Sequence, residues 1–291
     1  MKTTLSKIST FFEMIKWEHS IFALPFAYLG LFLAVKGWPE LTTFVLVTLA
    51  MISFRTMGMA LNRIIDREID RRNPRTESRA IPSGKLKVGF VWGMVLISFL
   101  IFEYCAYQLN PLCFSLTPVP VLLAWLYPYA KRFTWLSHFL LGMILGIAPY
   151  GAWLASGAPW SWVPAFFMVG VVSWVAGFDV IYALQDVAFD QKAGLYSFPA
   201  RFGVPAALAL TRWLHVVTLI SWSFAGWLAG LGLIYAIGIL TAALFLVREH
   251  RLIKVFGIQK VHEAFFMMNA FVSVTVLIAV LFDLGLRSAS L

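Results

Sequence analysis

The chain has 291 residues, of which 60% are hydrophobic, 13% charged and 16% aromatic, and its mean hydropathy is +0.82. Because about a quarter of the residues of soluble domains are charged, this composition excludes an ordinary soluble domain and predicts an integral membrane protein. The net charge of +9 does not indicate nucleic-acid binding, since the basic residues lie in short segments between apolar runs and no binding module is visible.

Nine apolar runs follow one another along the chain. A helix needs about 20 apolar residues to cross the hydrocarbon core of a bilayer. The runs lie near residues 19–36, 41–65, 88–108, 110–130, 135–156, 162–186, 206–229, 231–247 and 264–285. The sequence therefore predicts an all-α integral membrane fold of about nine transmembrane helices, with residues 1–291 forming a single polytopic domain.

The amino-terminal segment predicts an interfacial helix followed by a retained first span. The stretch from Ile8 to Trp17 is amphipathic, which is typical of a helix lying in the membrane interface. The first run lacks a small-residue cleavage site, so we expect it to remain in the mature protein. Cys105 and Cys113 both fall inside apolar runs and are interpreted as packing residues rather than a disulfide framework.

The distribution of positive charge predicts the orientation of the spans. Of the 23 Lys and Arg residues, only Lys36 and Arg287 fall opposite the majority, while Arg55 and Arg63 lie within or at the end of the second run. Basic residues accumulate in cytoplasmic loops. We therefore expect the amino terminus and the loops after runs two, four, six and eight to be cytoplasmic.

The second run ends in a row of polar side chains. Asn62, Asp66 and Asp70 recur every four residues, which on a continuous helix places them as one oxygen-bearing stripe. Mg²⁺ prefers oxygen ligands and usually binds through a few carboxylates together with substrate phosphates. Directly behind this stripe lies a basic segment containing Arg71, Arg72, Arg75, Arg79 and Lys85. Guanidinium groups are suited to bidentate contacts with phosphate, so the segment predicts a diphosphate site beside the metal.

A second stripe ends the sixth run. Asp186 and Asp190 are again four residues apart, and Asp179 precedes them by two helical turns. The two halves of the chain therefore echo each other, each with an apolar run ending in Asp-x-x-x-Asp. An internal pseudo-repeat would bring the two stripes face to face across a central cavity.

Three segments in order resemble the UbiA superfamily of membrane prenyltransferases. They are Asn62-Arg63-x-x-Asp66-x-x-x-Asp70 with Arg75-Thr76 and Arg79-x-x-Pro82-Ser83-Gly84; Tyr127-Pro128-Tyr129-Ala130-Lys131-Arg132-Phe133-Thr134; and Asp179-x-x-Tyr182-Ala183-x-x-Asp186-x-x-x-Asp190-x-Lys192-x-Gly194-x-x-Ser197, closing at Phe202-Gly203. The first and last extend over residues 62–84 and 179–203 as two aspartate motifs. Within the superfamily the likeness is to the 4-hydroxybenzoate polyprenyltransferases of quinone biosynthesis.

The resemblance implies a reaction and a place in the cell. The implied reaction is Mg²⁺-dependent transfer of a polyprenyl group from its diphosphate to a hydroxylated aromatic acid, 4-hydroxybenzoate in ubiquinone biosynthesis. The implied location is the inner membrane of a bacterium, with the active-site loops cytoplasmic. No obligate protein partner is evident from the sequence.

Two departures from the family pattern keep a second acceptor open. Many relatives carry Asn-Asp at the start of the first motif, whereas here Arg63 follows Asn62. The segment Lys16-Trp17-Glu18-His19-Ser20 also differs from the usual start of the 4-hydroxybenzoate enzymes. Both features resemble the branch that prenylates a dihydroxynaphthoate in menaquinone biosynthesis by the futalosine route.

The residues and the resemblance together give a set of predicted roles. The predicted metal ligands are Asn62, Asp66, Asp70, Asp186 and Asp190, and the predicted diphosphate contacts are Arg75, Arg79, Lys131 and Lys192. The resemblance further implies that Asp179 orients the acceptor phenol or takes its proton, and that Arg132 binds the acceptor carboxylate. Aromatic side chains would surround the allylic cation by cation–π attraction.

The charged residues have one alternative interpretation, and the histidines need a separate one. A transporter of an anionic solute would place ionisable residues near the bilayer centre on several helices, but here they crowd the predicted cytoplasmic ends. The five histidines, His19, His138, His215, His250 and His262, show no metal-ligand spacing. We interpret them as interfacial or packing residues.

Overall fold

The computed structural model describes residues 4–17, 23–261 and 264–289, and every regular element in these ranges is a helix. The helices are α1 (Thr4–Met14), α2 (Leu24–Val35), α3 (Leu41–Ile65), α4 (Arg67–Arg72), α5 (Val88–Leu109), α6 (Pro111–Leu116), α7 (Pro118–Ala130), α8 (Ser137–Ala155), α9 (Trp162–Ala183), α10 (Val187–Ala193), α11 (Phe198–Leu228), α12 (Leu233–Phe256) and α13 (Asn269–Ala289). The same ranges also contain short 3₁₀ turns at Leu184–Asp186 and Gly257–Lys260 and a π-helical turn at Ala264–Met268. The predicted all-α fold is confirmed.

Within the described ranges, eight helical segments are long and apolar enough to cross a membrane. The first predicted run, 19–36, corresponds to α2, which has only 12 residues and is therefore shorter than the hydrocarbon core. Glu18, His19 and Ser20 lie outside the described residues, as does His262. Most of α2 is buried, because it packs against α8 and α13.

Two span boundaries differ from the predicted runs for identifiable reasons. The seventh run was predicted to start at 206, but α11 begins at Phe198 and contains a kink at Gly203, whose φ is 83°. A positive φ is accessible to glycine at little cost. The eighth run was predicted to end at 247, yet α12 continues to Phe256. Basic residues such as Arg251 lower hydropathy without interrupting a helix.

Seven of the eight candidate spans of the described ranges pack together with α2 as two rings that share α2 and α8, and the eighth, α5, packs against α3. One ring closes through α2, α8, α9, α11, α12 and α13, and the other through α2, α3, α7 and α8. Aromatic side chains fill the first ring: the Phe26 ring centroid lies 5.3 Å from that of Trp174 and 5.0 Å from that of Trp222. The helices α8 and α9 lie so close together at Gly142 that a Cβ atom on this residue would lie 2.5 Å from the carbonyl oxygen of Val172. The lack of a side chain on Gly142 permits this contact.

The amino-terminal helix α1 docks on the end of α3. Its Phe11 and Ile15 side chains are buried in a cluster with Met57 and Leu61, while Phe12 is exposed. The predicted helix between Ile8 and Trp17 is present, although it begins earlier and ends at Met14.

Candidate functional site

The two aspartate motifs share an unusual backbone feature. α3 ends at Asp66, whose φ and ψ are −88° and 2°, and the short helix α4 starts at the next residue. Asp186 has φ and ψ of −106° and 2° and immediately precedes the short helix α10. These angles lie in the bridge region, which is sparsely populated and common among active-site residues. The predicted pseudo-repeat therefore has a counterpart in the backbone.

The prediction that each stripe lies on one continuous helix is wrong, because both helices break at the central aspartate. The Asp70 amide still donates to the Asp66 carbonyl at 2.8 Å, so the four-residue spacing survives the break. The second motif passes from α9 through a 3₁₀ turn into α10. The carboxylates on the two sides of each break therefore do not form one straight stripe along a single helix. We call the end of the bundle that carries Asp66, Asp70, Asp186 and Asp190 the charged end.

Asp66 is the centre of the first group of charges. Its side chain is 3% exposed and pairs with the Lys131 ammonium, and the Asn62 amide donates to Oδ2 at 3.2 Å. Burial raises the pKa of Asp66 above its ordinary value, whereas the Lys131 charge acts in the opposite direction. A buried carboxylate keeps its charge only beside such a partner.

Arg132 lies beside Asp66 and donates hydrogen bonds to the ends of two helices. Its Nη1 donates to the Pro128 carbonyl at 2.7 Å, and its Nη2 donates to the Ile65 carbonyl at 3.0 Å. The same Nη2 lies 3.4 Å from Asp66 Oδ1. The last carbonyls of a helix have no partner within it. Arg132 supplies partners to such carbonyls on both α3 and α7 and therefore joins the ends of these helices next to Asp66.

Asp70 forms a second pair with a residue of the basic segment. Arg79 Nη1 donates to Asp70 Oδ1 at 2.7 Å, and the Thr76 hydroxyl donates to the Asp70 carbonyl at 3.0 Å. The other carboxylate oxygen, Oδ2, is buried and has no hydrogen-bond partner among the residues that the structure describes. An unsatisfied buried carboxylate oxygen is energetically costly and is the kind of atom that a hard cation binds.

Arg75 joins the two motifs across the charged end. Its guanidinium makes a bidentate pair with Asp186, with Nε donating to Oδ1 at 2.8 Å and Nη2 to Oδ2. Asn73 Nδ2 also donates to Asp186 Oδ1 at 2.9 Å, and Arg75 Nη1 donates to the Tyr182 hydroxyl at 3.1 Å. The expected approach of the two motifs is therefore present.

The remaining predicted residues lie at different distances from this network. The Ser197 hydroxyl donates to Asp190 Oδ2 at 2.7 Å, and His138 Nδ1 lies 2.7 Å from Asp179 Oδ2. Lys192 is exposed on α10, and no ion pair joins it to the network within the described ranges.

Arg63, the departure from the family pattern, contacts both the first motif and α1, and its Nη1 donates to Asn62 Oδ1 at 3.5 Å. Its Nε donates to the Met14 carbonyl at 3.4 Å, at the carboxyl end of α1. Arg55 lies close by and donates to the carbonyls of Ile15 and Lys16 at 3.4 and 3.3 Å. Cations are favourable at helix carboxyl ends, which carry partial negative charge. The two arginines therefore attach α1 to α3.

The donor set fits Mg²⁺ with few protein ligands per ion. All five predicted ligands offer oxygen, the preferred donor of this ion. In residues 4–17, 23–261 and 264–289, no three His, Cys, Asp or Glu side chains converge on one metal position. Mg²⁺ retains water and commonly takes one or two carboxylates together with substrate phosphates, which agrees with dispersed carboxylates.

The comparison with known families decides the class of protein. The UbiA prenyltransferase family matches residues 23–273. The chain belongs to this family. A 4-hydroxybenzoate octaprenyltransferase of Shewanella woodyi is 30% identical over 237 residues, covering 77% of this chain and 78% of the relative. One from Francisella tularensis subsp. mediasiatica is 30% identical over 242 residues, covering 81% and 83%.

Solved structures of UbiA homologues share this fold. The apo structure of a homologue from Aeropyrum pernix K1 has a TM-score of 0.83 and 32% identity, covering 91% of this chain and 98% of that one. A homologue from Archaeoglobus fulgidus bound to GPP and Mg²⁺ has a TM-score of 0.67 at 20% identity, covering 95% and 100%. The UbiA membership makes the chain a membrane prenyltransferase and closes the transporter alternative.

Four polar residues of the UbiA site had no predicted role: Asn73, His138, Tyr182 and Ser197. Tyr182 precedes Asp186 by four residues, so helical spacing alone places it on the same face. Asn73 lies within the basic segment. His138 was interpreted as a packing residue, and its position at the polar start of an apolar run is the signal that could have marked it.

Proposed function

We propose that this protein transfers a polyprenyl group from polyprenyl diphosphate to a hydroxylated aromatic carboxylic acid, with 4-hydroxybenzoate as the first candidate acceptor and Mg²⁺ as the cofactor. The observation that carries the proposal is the charged end itself. There Lys131, Arg79 and Arg75 each lie against an aspartate of one of the two motifs. A diphosphate needs cations and its metal needs carboxylates, and this site interleaves both.

The chain's own charges would hold the diphosphate by exchanging partners. Arg75 and Arg79 are suited to phosphate oxygens because a guanidinium makes bidentate contacts. Lys131 offers a compact charge beside Asp66, and Lys192 is the fourth proposed contact. When bound, Mg²⁺ would neutralise the charge that develops on the leaving diphosphate. We assign its binding to Asn62, Asp66, Asp70, Asp186 and Asp190.

The proposed reaction replaces one bond by another. The allylic carbon–oxygen bond breaks and its electron pair leaves with the diphosphate, while a ring carbon ortho to the acceptor hydroxyl forms the new carbon–carbon bond. A base then takes the proton from that ring carbon, and Asp179 is the candidate for this base. Preorganised cations in a site shielded from water lower the barrier to such ionisation. Asp179 is the proposed partner of the hydroxyl, and Arg132 of the carboxylate.

The similarity to bacterial 4-hydroxybenzoate octaprenyltransferases supports 4-hydroxybenzoate as the acceptor and octaprenyl as the transferred group. A dihydroxynaphthoate is the second candidate, and Arg63 is the observation that favours it. At this position many relatives carry an aspartate, whereas the Arg63 side chain contacts the end of α1. The two acceptors differ in ring number, so an assay with each separates them.

We further propose that the charged end faces the cytoplasm, in a bacterium across the inner membrane. This orientation rests on the excess of Lys and Arg on that side and gives the site access to water-soluble acceptors. The polyprenyl tail would enter from the lipid between helices. The proposal requires polyprenyl diphosphate, the aromatic acid and the bilayer, and it invokes no nucleic acid and no protein partner.

The test is an assay of membranes containing the protein, supplied with octaprenyl diphosphate and either 4-hydroxybenzoate or a dihydroxynaphthoate. We expect a prenylated product with one acceptor, loss of product on chelation by EDTA, and recovery on addition of Mg²⁺. Asp66→Asn and Asp186→Asn should each reduce turnover by about a hundredfold or more, since a metal ligand contributes several kcal/mol to the transition state. Product formation that survives EDTA or either substitution would refute the assigned metal site.

A further inference from the structure

The strongest unassigned feature is a hydrogen-bonded pair between α8 and α9. His138 Nδ1 lies 2.7 Å from Asp179 Oδ2, and the two side chains are 5% and 16% exposed. His138 is the second residue of α8, and Asp179 lies on α9 two turns before Asp186. Neither the metal assignment nor the diphosphate assignment uses this histidine.

A third contact fixes the proton on the imidazole. The backbone amide of Phe198 lies 3.2 Å from His138 Nε2. Since a backbone N–H only donates, Nε2 must accept. A neutral imidazole that accepts at Nε2 carries its proton on Nδ1, and Nδ1 therefore donates to Asp179. His138 is thus held as a hydrogen-bond donor to this carboxylate.

The start of α11 explains why the Phe198 amide is available to donate to His138 Nε2. Phe198 is the first residue of α11, and its amide is one of those that the helix itself leaves without a partner. The Phe198 ring lies 5.5 Å from the Trp135 ring, which packs this helix start against the segment before α8. Ser197, the preceding residue, donates to Asp190. Neighbouring backbone positions therefore connect a proposed metal ligand to His138.

Asp179 retains one oxygen for a substrate. His138 uses Oδ2, and Oδ1 has no hydrogen bond to any part of the chain that the structure describes. The side chain is partly exposed, so Oδ1 is accessible rather than buried.

We infer that His138 is a positioning residue for the aromatic acceptor: it holds the Asp179 carboxylate so that Oδ1 accepts the hydrogen bond of the acceptor hydroxyl. An ionised carboxylate has only acceptor sites, and a single bond from Nδ1 leaves its other oxygen turned to the substrate. The inference rests on the proposed function. It assigns the acceptor hydroxyl to the α8–α9 pair, and it leaves the diphosphate to Arg75, Arg79, Lys131 and Lys192.

Two substitutions separate the two hydrogen bonds of His138. In His138→Asn the shorter amide lies where Nδ1 was, so it can still donate to Asp179 but loses the contact with Phe198. In His138→Gln the longer amide lies where Nε2 was, so it can accept from Phe198 but no longer holds Asp179. A matched control is His250→Gln, because His250 pairs with His215 between α11 and α12.

We expect His138→Gln to raise the apparent KM for the aromatic acceptor about tenfold or more, as loss of a charge-assisted hydrogen bond does. The KM for the prenyl diphosphate should change by less than about twofold, which is small beside the expected change in the acceptor KM. His138→Asn should restore most of the acceptor KM, and His250→Gln should match the wild type. An unchanged acceptor KM in His138→Gln, or equal defects in the Asn and Gln variants, overturns the inference.

A double-mutant cycle tests whether His138 acts through Asp179. Asp179→Asn should raise the acceptor KM, and adding His138→Gln should cost little more, because residues that act as one unit are not additive. Full additivity would indicate a purely structural histidine. If the His138 variants do not accumulate, an unchanged acceptor KM in Asp179→Asn overturns the inference. Wild-type membranes that prenylate neither acceptor would instead refute the proposed function, and the inference with it.

Discussion

At the scale of single residues, the aspartates are paired with cations that lie far from them in sequence. Asp66 is 2% exposed, and a carboxylate so deeply buried would be costly without a partner. Lys131 and Arg132 supply that charge from the end of α7. The same two residues that neutralise Asp66 without substrate are therefore the ones proposed to bind the substrates, Lys131 the diphosphate and Arg132 the acceptor carboxylate.

The roles of neighbouring Lys131 and Arg132 can be separated by substitution. Lys131→Ala should mainly raise the KM for prenyl diphosphate, whichever acceptor is supplied. Arg132→Lys should raise the KM for the aromatic acid about tenfold, because Lys lacks the planar fork that pairs with a carboxylate. The measurement is steady-state kinetics with each substrate varied in turn.

The contacts of Arg132 supply the contrary outcome. Its guanidinium already holds the carbonyls of Pro128 and Ile65. If Arg132→Lys impairs both substrates equally and lowers the unfolding temperature, its function is to join α3 and α7. The acceptor carboxylate would then have to be bound elsewhere, with Arg55 or Arg63 as the next residues to substitute.

Sequence spacing identified the chemistry-bearing residues but not their partners. The family motifs contain Arg75 and Asp186, yet nothing in their spacing specifies that these two form a bidentate pair. Such a contact depends on how α4 and α10 approach each other in the folded bundle. His138 was missed for the same reason, since a histidine on an apolar run gains its role only from the α9 and α11 residues around it.

At the scale of elements, periodicity predicted the helices and missed their breaks. Asp66 and Asp186 are compatible with helix, and no proline or glycine occurs next to either. Their bridge-region angles follow from tertiary contacts, such as the Lys131 and Arg75 pairs, rather than from local propensity. By contrast the kink of α11 has a local cause, because Gly203 has a positive φ and Pro205 lacks an amide hydrogen.

The α8–α9 contact gives a prediction with an internal control. In Gly142→Ala the new methyl group would lie 2.5 Å from the Val172 carbonyl oxygen, and overpacking of this kind costs about 1–3 kcal/mol. Gly151 lies on the same helix, and a methyl group added there would have no neighbouring atom within 4 Å. Gly151→Ala should therefore be neutral or slightly stabilising. Thermal unfolding in detergent compares the two, and equal unfolding temperatures would contradict the close contact.

At the scale of the whole molecule, hydropathy was sufficient for the class of fold and insufficient for its packing. The apolar runs predicted the spans, because each must satisfy its backbone within a helix when it crosses lipid. The arrangement into two rings sharing α2 and α8 left no trace in hydropathy, since helix contacts in a membrane depend on side-chain shape more than on apolarity. Hydropathy did not predict that α2 is too short to span the membrane. The segment is apolar because α2 is buried against neighbouring helices.

The last prediction concerns the orientation of the bundle. In a protein whose Cys105 and Cys113 are replaced by alanine, a cysteine at Ser83 should react with a membrane-impermeant maleimide only from the cytoplasmic side. Ser83 is exposed in the segment between α4 and α5. A cysteine at Glu40, which is exposed at the start of α3, should react only from the opposite side. The physical reason is the excess of basic residues around Ser83, which cytoplasmic loops retain. Labelling of both positions from one side would contradict the membrane-spanning assignment of α3, and reversed labelling would contradict the proposed orientation alone.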